Sequence, residues 1–383
     1  MRIAFLANAD NIHTRRWAAF LASRGHELII LCDPPVVNPP HGIQLIHPSM
    51  HFVTKVLAFK LFPKPYGNNL YKRFPYHREL KKLRPDIVHG FEALGYGYAL
   101  AHAGPYPKVL TPWGNDILYD PTRSRIARFL VTTALRKADV ITTNYLELAE
   151  TLEKDYSMPK RKICPFSWGV DLRIFHPGYQ GEVKDLMDRL DLPPDAKVIL
   201  SSRMMKPYWG IDAIARALPK VFEEIPKTYG IFLRGAGDAT YENEMKDILR
   251  NAGMLGRVRF ITEYLSEERM AAFLNLADVF ISCPRTDLLS ISVLEGLACG
   301  CTPILAELDA YKKRVQHTRN GLFFKPGDHQ DLSRKLIEFF RHPEWKQAFA
   351  DFNVALIKEK DDWNKNALVL ENIYKELIAR YKR

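Results

Sequence analysis

The chain has 383 residues and a formal net charge of +11, from 55 Lys and Arg against 44 Asp and Glu. That length exceeds the roughly 250–300 residues over which one hydrophobic core extends, so two domains are expected. A hydrophobic share of 47% with 26% charged residues excludes a disordered chain. No apolar run reaches the about 18 residues of a membrane span, and "MRIAFLANAD" lacks the layout of a signal peptide. Five cysteines without a disulfide framework point to a reducing, cytoplasmic compartment. The Cys-Gly-Cys at 299–301 has no second Cys or His pair, so small buried residues and no metal are expected there.

In chain order, "RIAFLAN" (2–8) is a short apolar strand, and "TRRWAAFLASRGHE" carries Trp17, Phe20 and Leu21 at helical spacing. Gly25 stands where that helix would stop, and "LIILC" (28–32) is the next strand. Strand, helix, strand is the unit of a parallel sheet. Between His51 and Pro85 lie nine basic residues (Lys55, Lys60, Lys64, Lys72, Arg73, Arg78, Lys81, Lys82, Arg84) and one acid, Glu79. The aromatics Phe52, Phe59, Phe62, Tyr66, Tyr71, Phe74 and Tyr76 interleave with them. This stretch reads either as a solvated face over packed apolar residues or as a footing on an anionic membrane or polyanionic acceptor. No nucleic-acid-binding signature accompanies it.

The rhythm continues through "DIVHGF" (86–91), "KVLTPW" (108–113) and "DVITTN" (139–144), and stops at the turn-rich "CPFSWGVDLRIFHPG" (164–178). A second series begins with "KVILSSR" (197–203) and runs through "YGIFLRGAG" (229–237), "VRFIT" (258–262), "DVFISCP" (278–284) and "TPILAE" (302–307). The tail "WNKNALVLENIYKELIARYKR" reads as one amphipathic helix with Leu368, Leu370, Ile373, Tyr374 and Leu377 on its apolar side. The expected architecture is α/β: two Rossmann-like domains at 1–168 and 169–362, with a closing helix at 363–383 packing back toward the first. Ligands of open parallel sheets bind beyond the carboxyl ends of the strands, so a cleft between two such domains is the expected site.

The loops after strands carry the candidate chemistry. In "RTDLLSISVLEGLACG" (285–300), a strand is followed by a loop holding Asp287 and a helix holding Glu295. The backbone N–H groups of Leu289, Ser290, Ile291 and Ser292 would lie at that helix's N-terminus, an anion site, with Ser290 or Ser292 as N-cap. Two acids flanking a phosphate site suit a nucleotide sugar, although each alone also reads as an ordinary helix or surface charge. "SSRMMKPYWGID" places Arg203 and Lys206 where they could meet a diphosphate. Gly235 of "LRGAGD" permits close backbone approach, and Glu263 lies after the following strand. The loop "ANADNIH" has no glycine, which argues against a nicotinamide cofactor. His13 in that loop reads equally as a residue orienting a turn or an acceptor or as one taking part in the chemistry, and His89 is expected to pack at a strand end.

Taken together, "RGHEL", "DIVHG", "TPWGND", "WGVDLRIFHP", "SSRMMKPYWGID", "LRGAGD" and "DLLSISVLEGLACGCTPI" resemble the family 4 retaining glycosyltransferases of the GT-B fold. The resemblance implies that Asp287, in place of the commoner Glu of a Glu-x7-Glu motif, contacts the donor hexose and Glu295 the ribose. A branch with Asp-x-x-Ser-x-Ser-x-x-Glu has this pattern. Arg203 matches the family's phosphate-binding arginine. The partner lysine usually precedes the glycine, where Trp209 stands before Gly210, leaving Lys206 as the nearby cation. The family's N-domain histidine falls on Trp113, while Asp116 remains; Asn115 and His13 are further acceptor-side candidates.

The expected reaction is retaining transfer of a hexose-type sugar from a UDP-, GDP- or ADP-sugar to a saccharide or lipid-linked acceptor, with no cofactor and no metal. Asp287, Arg203, Lys206 and Asp116 form its catalytic set. A peripheral position on the cytoplasmic membrane face through residues 51–85 belongs to that expectation. An epimerase, a phosphorylase or an inactive binding module on the same scaffold are the rival readings.

Overall fold

Short β-rich apolar runs separated by amphipathic helices fold into parallel strands buried on both faces. The computed structural model describes residues 1–37, 39–49, 67–144, 146–235 and 237–382. Its first sheet contains β1 (Arg2–Leu6), β2 (Glu27–Leu31), β3 (Gln44–Ile46), β4 (Ile87–Phe91), β5 (Lys108–Thr111), β6 (Val140–Thr143) and β7 (Ile163–Pro165). These are ordered β3-β2-β1-β4-β5-β6-β7 and pair in parallel throughout. The second sheet contains β8 (Lys197–Ser201), β9 (Thr228–Leu233), β10 (Val258–Ile261), β11 (Val279–Ser282), β12 (Thr302–Ala306) and β13 (Leu322–Phe324). Its order is β10-β9-β8-β11-β12-β13, again all parallel.

The chain divides into two compact units, residues Met1–Ser167 with Lys365–Arg383, and Trp168–Asn364. Each has its own core, built around Leu6, Val88, Leu110 and Leu130 in the first and Ile199, Phe232, Ile281 and Leu218 in the second. The strands that sequence missed are β3, β7 and β13, each of three residues and each at a sheet edge. Pairing on one side only lets so short a segment join without a long apolar run. Within the stretch assigned to turns, residues 164 and 165 belong to β7.

The first helix starts at Ile12, two residues earlier than the apolar spacing indicates, because the Asn11 side chain accepts from the N–H groups of His13 (2.8 Å) and Thr14 (3.4 Å). His13 therefore sits in a helical first turn and not in the loop where sequence placed it. Of the basic, aromatic stretch 51–85, residues 51–66 lie outside the described residues. The remainder includes the helix Arg73–Leu83, with Tyr76 and Leu80 buried and Phe74 exposed.

The last helix, Trp363–Tyr381, buries Ala367, Leu370, Tyr374 and Leu377, whereas Leu368 is exposed, contrary to its assignment to the apolar side. From Lys365 onward it belongs to the first unit. There the Tyr374 hydroxyl meets His89 Nδ1, and His89 Nε2 lies 2.6 Å from Thr111 Oγ1. Burial lowers the His89 pKa to about 3, so this ring is a neutral core residue in the middle of β4. Glu371 anchors the same helix through Arg24 (3.1 Å) and His26 (3.1 Å), and also pairs with Lys375 one turn along the helix (2.9 Å). Burial alone would raise its pKa, but hydrogen bonds from Lys375, His26 and Arg24 outweigh that and hold it at about 2.

A carboxylate depressed in the folded state stabilises above its unfolded pKa and loses that contribution as pH falls through the folded value. Glu371→Gln is therefore expected to lower the unfolding free energy by about 1–3 kcal/mol at pH 7, Arg24 and Lys375 being partly solvent-screened. Denaturant titrations should show the deficit shrinking below a pH of about 4.5 and vanishing near 2.

Candidate functional site

In the second sheet the strand order reverses between β8 and β11, so the loops after these adjacent strands diverge and leave a crevice at their carboxyl ends. Arg203 follows β8 and Asp287 follows β11, and the fold brings them into a salt bridge with both side chains largely buried. Arg203 Nη1 also donates to Ser290 Oγ (2.7 Å) and Ser292 Oγ (3.1 Å). One face of the guanidinium lies 3.8 Å above the Trp209 ring. Trp209, in the family lysine's place, thus supports the arginine and supplies no charge of its own.

The helix Ile291–Ala298 begins with Ser290 as its N-cap residue, but the Ser290 hydroxyl makes no cap bond because it faces Arg203 and Ser292. Among the described residues, the backbone N–H groups of Leu289, Ser290, Ile291 and Ser292 donate to nothing in the protein. Val293 and Leu294 return to the Ser290 carbonyl. A guanidinium and a set of N–H groups thus converge at one strand-end crevice, an arrangement that can bind an anion. Glu295 is half-buried one turn into the helix.

Sequence missed Tyr311, which lies after β12 in the helix Asp309–Lys312. Its hydroxyl donates to Asp287 Oδ2 at 2.7 Å, and Ser282 Oγ lies 3.0 Å from it. No motif marks this residue. Only its position after a strand of the same sheet could have drawn notice. Burial raises the Asp287 pKa against the pull of Arg203 and of the Tyr311 hydroxyl. Neighbouring loops close around the crevice at glycines. Gly210, with φ of +64°, leaves no room for a Cβ, which would stand 2.3 Å from the Cys283 carbonyl oxygen. A Cβ on Gly237 would stand 2.7 Å from Met205 N.

Two family models match the chain, "Glycosyl transferase 4-like" over residues 2–145 and "Glycosyl transferases group 1" over residues 182–353. The chain belongs to the family 4 glycosyltransferases of the GT-B fold. It is 25% identical over 251 residues to a D-inositol 3-phosphate glycosyltransferase of Streptosporangium roseum, covering 63% of this chain and 56% of that enzyme's own length. It is 24% identical over 352 residues to an alpha-monoglucosyldiacylglycerol synthase of Acholeplasma laidlawii, covering 85% of this chain and 82% of that one. Among solved structures, Anabaena Alr3699/HepE in complex with UDP and glucose superposes with a TM-score of 0.76 at 15% identity, covering 97% and 99% of the two chains.

Within this glycosyltransferase fold the remaining sequence candidates fall in different places. Lys206 is exposed and is not drawn into the Arg203 cluster. Gly235 turns the chain after β9 with φ of +55°. Glu263 is an exposed partner of Arg269 at 3.0 Å, not a member of the Arg203 cluster. In the first unit, Asn115 is exposed, and Trp113 stacks on Phe91 with ring centroids 5.5 Å apart and beside His13 at 5.6 Å. Burial, with Arg16 nearby, lowers the His13 pKa to about 4.

Asp116, assigned to the catalytic set by the family resemblance, is buried and bonded to backbone. Its carboxylate accepts from the N–H groups of Ala93 (2.5 Å), Gly114 (2.8 Å) and Trp113 (3.0 Å), tying the loops after β4 and β5 together. Glu92, with φ of +72°, likewise accepts from Leu94 (2.8 Å), Gly95 (2.8 Å) and Tyr96 (3.3 Å). Both acids brace the backbone of the loops that carry them. Among the described residues, no cluster of His, Cys, Asp or Glu is arranged to hold a metal ion. Cys299 and Cys301 are buried.

Burial, and then the neighbouring Glu92, raise the Asp116 pKa from 3.8 to about 7 against its N–H donors. A carboxyl whose folded pKa is raised favours the folded state while protonated, so its contribution is lost as pH rises from about 4 to about 7. Stability measured by denaturant across that window is expected to fall by about 2–4 kcal/mol on this account. Asp116→Asn should flatten the slope and lower the acid-side maximum, because an amide cannot accept from all three N–H groups.

Proposed function

We propose that this chain transfers a hexose-type sugar from a nucleoside diphosphate sugar to an acceptor hydroxyl, with retention at the anomeric carbon and without a metal ion. The observation that carries this reading is the Arg203, Ser290 and Ser292 cluster beside the N–H groups at 289–292, bounded by Asp287 and Glu295. The UDP and glucose named for the Anabaena structure support a donor of this class.

The bond to break joins the anomeric carbon to the terminal phosphate oxygen, and its electron pair leaves with the diphosphate. Arg203 and the strand-end N–H groups would stabilise the charge growing on that oxygen, each such preorganised donor contributing roughly 3–4 kcal/mol. The acceptor hydroxyl oxygen then bonds to the same face of the anomeric carbon, and its proton passes to the departing phosphate oxygen. No enzymic nucleophile and no metal enter this scheme. Asp287 would hold the hexose hydroxyls and Glu295 the ribose, with Lys206 an exposed additional charge for the diphosphate.

The acceptor fits a lipid-linked saccharide at the cytoplasmic face of a membrane. Two facts support it: the Acholeplasma relative is named for a diacylglycerol product, and the helix Arg73–Leu83 shows Phe74, Arg78, Lys81 and Lys82 outward. No helix among the described residues is long and apolar enough to cross a membrane, so the proposed association is peripheral.

Calorimetry with UDP, GDP, ADP and their sugars tests the donor. At least one nucleotide sugar is expected to be turned over by the unmodified chain, and Arg203→Ala and Asp287→Ala are each expected to lower that turnover by about 100-fold or more. Unmodified rates in both variants would remove the mechanism. Vesicles with anionic lipid should retain the protein at low salt and release it at about 0.5 M salt; retention indifferent to lipid charge and salt would remove the membrane footing.

A further inference from the structure

Tyr311 is fully buried, and its hydroxyl sits between two groups. Ser282 Oγ, at the end of β11, lies 3.0 Å away and can donate to it, leaving the phenolic O–H directed at Asp287 Oδ2, 2.7 Å distant. Asp287 has its other oxygen, Oδ1, on the Leu288 N–H at 2.9 Å. Among the described residues, the other side chain on the carboxylate is Arg203, whose Nη2 meets the same Oδ2 that Tyr311 does. Arg203 is also the group that the donor reading assigns to the diphosphate.

We propose that Tyr311 is a positioning residue for Asp287, holding the carboxylate in place when Arg203 turns its guanidinium to the diphosphate. This rests on the donor reading above. An arginine cannot give the same N–H groups fully to a phosphate and to Asp287, so engaging the donor weakens the charged contact that orients the acid. A carboxylate kept only by the adjacent Leu288 N–H would be free to rotate away from the sugar. The phenol prevents this because it is fixed at both ends: its ring is fully buried and its oxygen is oriented by Ser282. It remains a donor over the working pH range, since burial and the neighbouring Asp287 raise its pKa well above the ordinary value. Among the described residues, the charged and titratable groups facing Asp287 are then Arg203 from the loop after β8 and Tyr311 from the helix after β12. Ser290 and Ser292 act on it through Arg203.

Tyr311→Phe retains the ring and removes the donor. Nucleoside diphosphate affinity, measured by calorimetry with UDP, GDP and ADP, is expected to stay within about threefold, because those ligands lack the sugar that Asp287 holds. Turnover of the matching nucleotide sugar is expected to fall about 10- to 100-fold, the loss typical of a hydrogen bond to a charged group. The acid limb of the pH–rate profile should move to higher pH, since Asp287 loses a donor that favours its charged form. Ser282→Ala, which removes only the group orienting the phenol, should shift both readouts in the same direction by a smaller amount. A Tyr311→Phe protein with intact nucleotide binding, unmodified turnover and an unmoved acid limb overturns this proposal alone. Parallel loss of nucleotide affinity, turnover and thermal midpoint in both variants also overturns it, since that pattern is merely structural. An unmodified chain that binds none of the nucleotides overturns the donor reading instead.

Discussion

The contact between Arg203 and Asp287 depends on a feature of chain topology, the reversal of strand order between β8 and β11. Parallel strands send every loop of one type to the same edge of the sheet. Only where consecutive connections run in opposite directions do two adjacent strand ends leave a gap between their loops. Residues 84 positions apart in sequence meet there because the sheet carries them to the same place. The helix Ile291–Ala298 leaves from that gap, so its unpaired N–H groups join the same small volume.

Such a pair is costly to bury unless its remaining valences are met. The structure meets several of them. Trp209 covers the guanidinium face, the serine hydroxyls take Nη1, and Tyr311 shares Asp287 Oδ2. Arg203 Nε is buried without a hydrogen-bond partner among the described residues. Ser290 leaves the helix without its usual side-chain cap in order to serve the arginine. Local stability of the helix start is thereby subordinated to the electrostatics of the crevice, as is common where a site uses a helix N-terminus for binding.

Much of the fold was legible because parallel strands buried on both faces must be short continuous apolar runs, and "RIAFL", "DIVHGF" and "DVFIS" announce themselves. The three-residue edge strands did not, since pairing on one side asks little of composition. At the site, Asp287, Arg203 and the 289–292 turn were legible from their positions after strands. Tyr311 was not, because nothing local distinguishes a buried tyrosine that supports packing from one whose hydroxyl reaches a carboxylate in another loop. Asp116 is a different case: the family resemblance marked it for chemistry, and the folded loops set backbone N–H groups at three positions on its carboxylate. Sequence reports where an acid stands, and only the folded loops decide whether its lone pairs face outward or inward.

The same distinction separates the two units. Each has a strand-order reversal, between β1 and β4 in the first and between β8 and β11 in the second. In the first, Glu92 and Asp116 turn their oxygens onto the loop backbone, so the acids fix loop shape and leave aromatic faces such as Trp113 and Phe91 stacked nearby. In the second, the loop backbone keeps its N–H groups unspent and the acid is held by side chains that can exchange partners. A reaction that must stabilise charge as it develops needs donors not already committed to the fold. Among the described residues, the second reversal keeps such donors at 289–292, beside Arg203, which supports assigning the charge-bearing end of the proposed donor to that unit.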